Sequence, residues 1–193
     1  MEPVDGYKLL IGLVVPRAIG WIGTRNSHGV SNLAPFSFFT AVAATPPTVM
    51  FSTVRPGGRE KDTLANVRET GVFTVNVVTE EVVERMNATS ATVAQDVDEF
   101  ELAGVTAVEA SVVAAPSVAE AKAVLECTVV DTVDVGQPPM GATMVLGRVE
   151  RFHVESELLD GTRIDQEALR AVGRMGGPLY TRTRDMFGMA RPD

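Results

Sequence analysis

Two segments carry side chains whose types and spacing suit them to hold a ligand: residues 52–64, STVRPGGREKDTL, and residues 32–39, NLAPFSFF. In the first, a strand ends on two hydroxyls, Ser52 and Thr53, a Gly57-Gly58 loop flanked by Arg55 and Arg59 follows, and Lys61, Asp62 and Thr63 open a helix. A helix N-terminus exposes unpaired N–H groups and a partial positive charge, so hydroxyls and cations beside it make a phosphate site. The same residues also allow a plainer arrangement, in which Asp62 caps the helix and the cations are solvated. In the second segment, Ser37 stands among apolar and aromatic neighbours, and a buried hydroxyl there needs a partner. Backbone at a bulge would serve, and so would a bound molecule. Only one short strand, residues 48–51, separates the segments. They can form two ends of one pocket, fit for a planar heteroaromatic ring on a phosphorylated tail.

Other chemistries find little support. There is no Gly-x-Gly-x-x-Gly after a strand, no Walker loop, no Gly-x-Ser-x-Gly elbow and no Cys-x-x-Cys. The two histidines, His28 and His153, stand apart, so no metal site is expected. Cys127 is the single cysteine; it lies in the apolar run VLECTVV and reads as a buried, inert thiol. A net charge of −8 disfavours a nucleic-acid backbone as partner. The basic residues nevertheless cluster, around Arg55, Arg59 and Lys61 and again from Arg163 to Arg184, which suits a small anion. No apolar run approaches the roughly 20 residues of a membrane span. The N-terminus carries Glu2 and Asp5 and no basic stretch, so no signal peptide, no membrane partner and a cytoplasmic location are expected.

The elements that must position these groups are mostly strands, given the Val and Thr content and the frequent Gly and Pro. Residues 18–24 read as a strand, Asn26-Ser27-His28-Gly29 as a turn, and residues 30–39 as a return strand kinked at Pro35, on an edge or at a bulge. Residues 48–53 read as a buried strand, 63–70 as a helix stopped by Gly71, and 72–78 as a strand. Residues 79–91 look helical with Thr79 as N-cap. A polar excursion, 92–104, precedes strand-like residues 105–118 and an ambiguous stretch, 119–123. Residues 125–135 and 144–154 form a long hairpin, 165–172 a short helix, and the Gly- and Arg-rich tail wraps over the body. One domain spanning residues 1–193 is expected, mainly β (α+β), an antiparallel barrel or closed sheet with helices outside.

The order of PRAIGWIGT, NLAPFSFF, PPTVMFS, KDTLANVRETG, the mid-chain LEC, GRVERFHV and RMGGPLYTR resembles the flavin reductase-like family of FMN-binding split barrels. The subgroup it resembles includes flavoredoxins and the reductase components of two-component monooxygenases. The resemblance runs from about Pro16 to Arg182. It implies a Greek-key antiparallel split β-barrel with peripheral helices and a homodimer with FMN near the subunit interface. It places Asn32, Ala34, Phe36 and Ser37 along the isoalloxazine, and Ser52, Thr53, Lys61, Asp62 and Thr63 along the ribityl chain and phosphate. Thr24 is a further contact, and Arg174 and Tyr180 close over the flavin. Two departures from the family pattern are small: Ala18 stands for a commoner proline, and Thr45 for an acidic residue before Pro46-Pro47.

The activity this implies is an NAD(P)H:flavin oxidoreductase. It passes reducing equivalents from NADH or NADPH through FMN to free flavin, to a partner oxygenase or to an electron-transfer protein. The flavin carries that chemistry, so no catalytic side chain is assigned. Three alternatives remain at this stage: an electron carrier without nicotinamide activity, a barrel that binds FMN or haem as sensor or store, and an empty interaction domain. The retained Lys61-Asp62-Thr63 and Ser37 argue against the last.

Overall fold

Successive side chains of the first two strands point to opposite faces of the sheet and enter two separate cores. In β1 (Gly20–Arg25) Trp21 and Ile22 are both fully buried but belong to different clusters. Leu33 in β2 (Ser31–Phe36) joins Trp21, and Phe36 joins Ile22. The computed structural model describes residues 2–54 and 60–192. Arg55, Pro56, Gly57, Gly58 and Arg59, the loop and flanking cations of the expected anion site, lie outside the described residues.

β3 (Phe39–Ala44) and β4 (Pro47–Val54) follow, then β5 (Val72–Val77), the short pair β6 (Ala107–Glu109) and β7 (Pro116–Val118), and the long hairpin β8 (Ala123–Val135) and β9 (Ala142–Val154). The main sheet has seven strands in the order β2-β1-β5-β8-β9-β4-β3, with every neighbouring pair antiparallel. Its two outermost strands, β2 and β3, are consecutive in sequence and separated only by Ser37 and Phe38. The sheet therefore rolls until its edges meet at those two residues. There the Ser52 N–H donates to the Phe38 carbonyl at 2.8 Å, and the Phe36 and Phe51 rings lie 5.0 Å apart. This is the split barrel, and Pro35 sits on its edge strand, where a missing N–H costs no ladder bond.

Among the described residues five α-helices lie outside: α1 (Pro3–Leu13), α2 (Asp62–Thr70), α3 (Val83–Ala88), α4 (Glu99–Ala103) and α5 (Gln166–Leu169). Leu64 and Val67 of α2 complete the first core with Phe51, Phe73, Cys127 and Val145. Met86 of α3 and Phe100 of α4 cover Trp21 in the second. After β9 come two small hairpins, β10 (Leu159–Asp160) with β11 (Arg163–Ile164), and β12 (Val172–Arg174) with β13 (Tyr180–Arg182).

The expected strands over 18–24, 48–53 and 72–78 and the helix over 63–70 hold to within two residues, but the return expected over 30–39 breaks at Ser37 and Phe38 into β2 and β3. Gly71 adopts the left-handed conformation (φ 71°) that ends α2, as its position after Thr70 predicts. The helix expected over residues 79–91 shrinks to Val83–Ala88. Thr79 is not its cap: its backbone bridges to Ala171, and its buried hydroxyl has no partner among the described residues. Residues 80–82 form a turn, with the Val82 N–H donating to the Thr79 carbonyl at 3.2 Å, so the helix begins only at Val83. Residues 165–172 form only one turn, because Asp165 caps it and Arg170 turns left-handed (φ 52°), freeing Val172 for β12. α1 has no counterpart in the sequence expectations; none of its residues is buried.

Candidate functional site

α2 points its N-terminus at the inner end of β2. Its N-cap is Lys61, which has extended backbone and makes no side-chain cap; the Leu64 N–H donates to the Lys61 carbonyl at 2.9 Å, and the Asp62 and Thr63 N–H groups have no partner among the described residues. Asp62 does not cap the helix; its Oδ1 accepts from Gln95 Nε2 at 2.7 Å. Lys61 is exposed, and its ammonium pairs with no carboxylate among the described residues. These groups line a cleft of about 410 Å³, walled by Asn32, Ala34 and Pro35 of β2, residues 89–93 after α3, and Glu99 of α4. A second cleft, of about 260 Å³, adjoins the first through Pro35 and Lys61, which line both; its other walls are Tyr7, Phe36, Ser37, Phe38, Ser52, Val54 and Met140. The polar side chain near the start of β2, Asn32, lines the first cleft, and the one just past its end, Ser37, lines the second.

A buried polar relay fixes the first half. Asn32 Nδ2 donates to Thr63 Oγ1 at 3.0 Å and to Thr24 Oγ1 at 3.3 Å, and Asn66 Nδ2 donates to Thr24 Oγ1 at 3.0 Å. Thr63 accepts from Asn32, so its own hydroxyl proton is free to turn toward the cleft. Glu99 anchors the far wall: its Oε2 accepts the Leu33 N–H at 3.1 Å, tying α4 to β2. Burial pushes the Glu99 carboxyl above the usual carboxylate range, against the pull of that amide.

Of the residues the sequence singles out, Asn32, Ala34, Lys61, Asp62 and Thr63 line the first cleft, and Phe36, Ser37, Ser52 and again Lys61 line the second. Ser37 is half-buried, and its Oγ accepts from Arg17 Nε at 3.4 Å. Thr24 and Thr53 are fully buried and line neither cleft; the Thr24 hydroxyl serves the relay, and the Thr53 hydroxyl donates to the Thr143 carbonyl. Arg174 and Tyr180 sit on the β12–β13 hairpin, the guanidinium 4.4 Å above the ring, and line neither cleft. Sequence reasoning missed Tyr7, Glu99, Met140 and Arg17. Of these only Arg17, a lone cation in the apolar run LVVPRAIG, carried a visible signal.

Comparison with known proteins gives one consistent result. The family model described as flavin reductase like domain matches residues 12–184. An uncharacterized protein of Halalkalibacterium halodurans is 40% identical, covering 97% of this chain and 91% of its own. Among solved structures, nitrilotriacetate monooxygenase component B from Bacillus cereus superimposes with a TM-score of 0.94 at 34% identity, covering 98% of this chain and 95% of its own. The 2-nitrobenzoate 2-nitroreductase of Pseudomonas fluorescens gives 0.90 at 29% identity, covering 100% and 93%.

Proposed function

This chain belongs to the flavin reductase-like domain family, and from that premise we propose that it binds FMN and acts as an NAD(P)H:flavin oxidoreductase. The observation that carries the reading is Lys61. A cation without a carboxylate partner among the described residues stands at an uncapped helix N-terminus, with the Thr63 hydroxyl beside it, in a cleft whose other half is aromatic. This donor set fits a phosphate ester, and the two clefts together fall in the range of about 300–1,000 Å³ typical of small-ligand sites.

In the proposal, Lys61, Thr63 and the α2 amides hold the phosphate, with Ser52 and Asp62 along the ribityl chain. Asn32, Ala34, Phe36 and Ser37 line the ring. Thr24 and Thr53 act from behind, Thr24 by holding Asn32 and Thr53 by fixing β4 against β9. Bound FMN supplies hydride acceptance and electron transfer, chemistry that no side chain here provides. The protein fixes the orientation of the ring, and Pro35, Phe36 and Phe38 keep water from one side of it.

The redox donor in this reading is NADH or NADPH. The acceptor is free flavin, an oxygenase or an electron-transfer protein, a choice supported by the likeness to a monooxygenase component. A homodimer completes the site, and in it Arg174 and Tyr180 reach the flavin of the partner copy. The exposed apolar side chains of α1, Val4, Leu9, Leu10 and Leu13, support such an association. No described helix is long and apolar enough to cross a membrane, and a cytoplasmic setting belongs to the same proposal. The test is anaerobic mixing of FMN-loaded protein with NADH and, separately, NADPH. Bleaching of the visible flavin band by either supports the reading. Bleaching by dithionite alone overturns the nicotinamide step and leaves an electron carrier.

A further inference from the structure

Arg17 is a buried cation without a carboxylate. It is 7% exposed, and its donors go to neutral oxygens: Nη1 to the carbonyls of Ile11 (2.7 Å) and Val14 (2.6 Å), Nη2 to that of Met175 (3.1 Å), and Nε to Ser37 Oγ (3.4 Å). Its guanidinium carbon also stands 5.9 Å from the centre of the Phe38 ring. Among the described residues no Asp or Glu forms an ion pair with it, and Arg174 adds a like charge nearby. Burial disfavours its charged form; Tyr7 favours that form, and the carbonyls, the Ser37 hydroxyl and the Phe38 ring bear the rest of the burden. The α1 C-terminus offsets part of the charge. What remains lies behind Ser37, which lines the aromatic half of the site.

We infer that Arg17 is a positioning residue for the flavin ring: it holds the Ser37 hydroxyl against the ring and, through its uncompensated charge, favours the reduced, anionic ring over the oxidised, neutral one. The inference rests on the FMN reading above. The balance is simple: two electrons and one proton convert the neutral oxidised ring into the reduced anion, and Arg17 neither gives nor takes a proton. A fixed positive charge in a water-poor site acts on the state that carries negative charge, and leaves binding of the neutral ring nearly unchanged.

The test is the two-electron midpoint potential of protein-bound FMN, measured against free FMN during dithionite titration with a reference dye. Wild type, Arg17→Met and Arg17→Lys are compared, and each is first titrated with oxidised FMN. In wild type the reduced flavin is held about tenfold tighter than the oxidised, a bound midpoint about 30 mV above free FMN. Arg17→Met removes that preference, and Arg17→Lys, which retains the charge, keeps most of it. A merely structural staple predicts otherwise: both variants melt earlier while their bound midpoints match wild type, and that result overturns the inference. If Arg17→Met does not fold, wild type and Arg17→Lys still decide. A bound midpoint at or below that of free FMN overturns the inference, as does a lysine variant that loses the preference. Failure of the FMN reading shows separately, as no saturable binding in the first titration, and the inference falls with it.

Discussion

Glu126 offers the sharpest single perturbation of the framework. The side chain is fully buried, yet both carboxylate oxygens are engaged. Oε1 accepts from the Ser111 N–H (2.9 Å), from the Ser111 hydroxyl (2.7 Å) and from His153 Nε2; Oε2 accepts from the amides of Val112 (2.6 Å) and Val113 (3.1 Å). These bonds hold the loop between β6 and β7 onto the barrel. In Glu126→Gln one oxygen becomes an NH2 group. If it replaces Oε2, two backbone donors lose their acceptor. If it replaces Oε1, the Ser111 hydroxyl and His153 can re-orient, but the Ser111 amide cannot. At least one buried donor is orphaned, and the surviving bonds lose their charge assistance. At about 1–3 kcal/mol for an unsatisfied group, with a further loss from the weaker acceptor, the expected cost is about 3 kcal/mol. In a chain of this size that lowers Tm by about 6–12 °C. The assay is urea unfolding at neutral and acid pH. Burial alone would raise the Glu126 carboxyl, but the Ser111, Val112 and His153 bonds bring it down to about 2 from an ordinary 4.5. Its stabilisation is therefore fully present above about pH 4.5 and is lost as pH falls toward about 2. The gap between wild type and Glu126→Gln narrows through that window. A variant equal to wild type at neutral pH, or a gap that does not narrow in acid, refutes the reasoning.

Other outcomes follow from the same geometry. Lys61→Ala with Thr63→Ala weakens FMN binding by about 1–3 kcal/mol per lost charged hydrogen bond, read by titration calorimetry; unchanged affinity removes the phosphate assignment. Gly23→Ala places a Cβ 2.3 Å from the Pro116 carbonyl oxygen and 2.5 Å from Thr74 Oγ1. Backbone cannot rotate away as a side chain can, so a loss of about 3 kcal/mol is expected in urea unfolding, and a neutral result contradicts the packing of β7 on β1. Cys127 is fully buried and burial pushes its thiol up to about 12, so a thiol reagent at neutral pH labels it only after denaturant is added. Rapid labelling of the folded protein contradicts that placement.

How much of this was legible in the sequence depends on how local the cause was. α2 was, because Leu64 and Val67 share a face and Gly71 ends it within one turn. The edge position of Pro35 was legible too, because a proline fits only an edge or a bulge, but the break was not: the strand runs through Pro35 to Phe36 and stops at Ser37 and Phe38. α1 was not, since none of its residues meets the core and its apolar side chains form no buried stripe. Thr79 has the chemistry of a cap, but a partner 92 positions away in sequence, Ala171, claims its backbone. At the site, residue type pointed to Ser37, Ser52, Lys61 and Thr63, and the family resemblance added Asn32; all of them line the clefts. Residue type does not say which way a hydroxyl faces, and Thr24 and Thr53 turn inward. Glu99 owes its place to a contact between segments far apart in the chain, which no local pattern announces; Arg17, visible as a lone cation in an apolar run, joins the nearby Ile11 and Val14 carbonyls to the distant one of Met175.

Whether the paired clefts hold FMN is decided by titrating the purified protein into FMN and following the quenching of flavin fluorescence. A saturable, one-to-one curve that survives gel filtration or recovers on dilution, and that weakens when Lys61 and Thr63 are replaced, is the result expected. A signal that shows no saturation with wild-type protein contradicts the account.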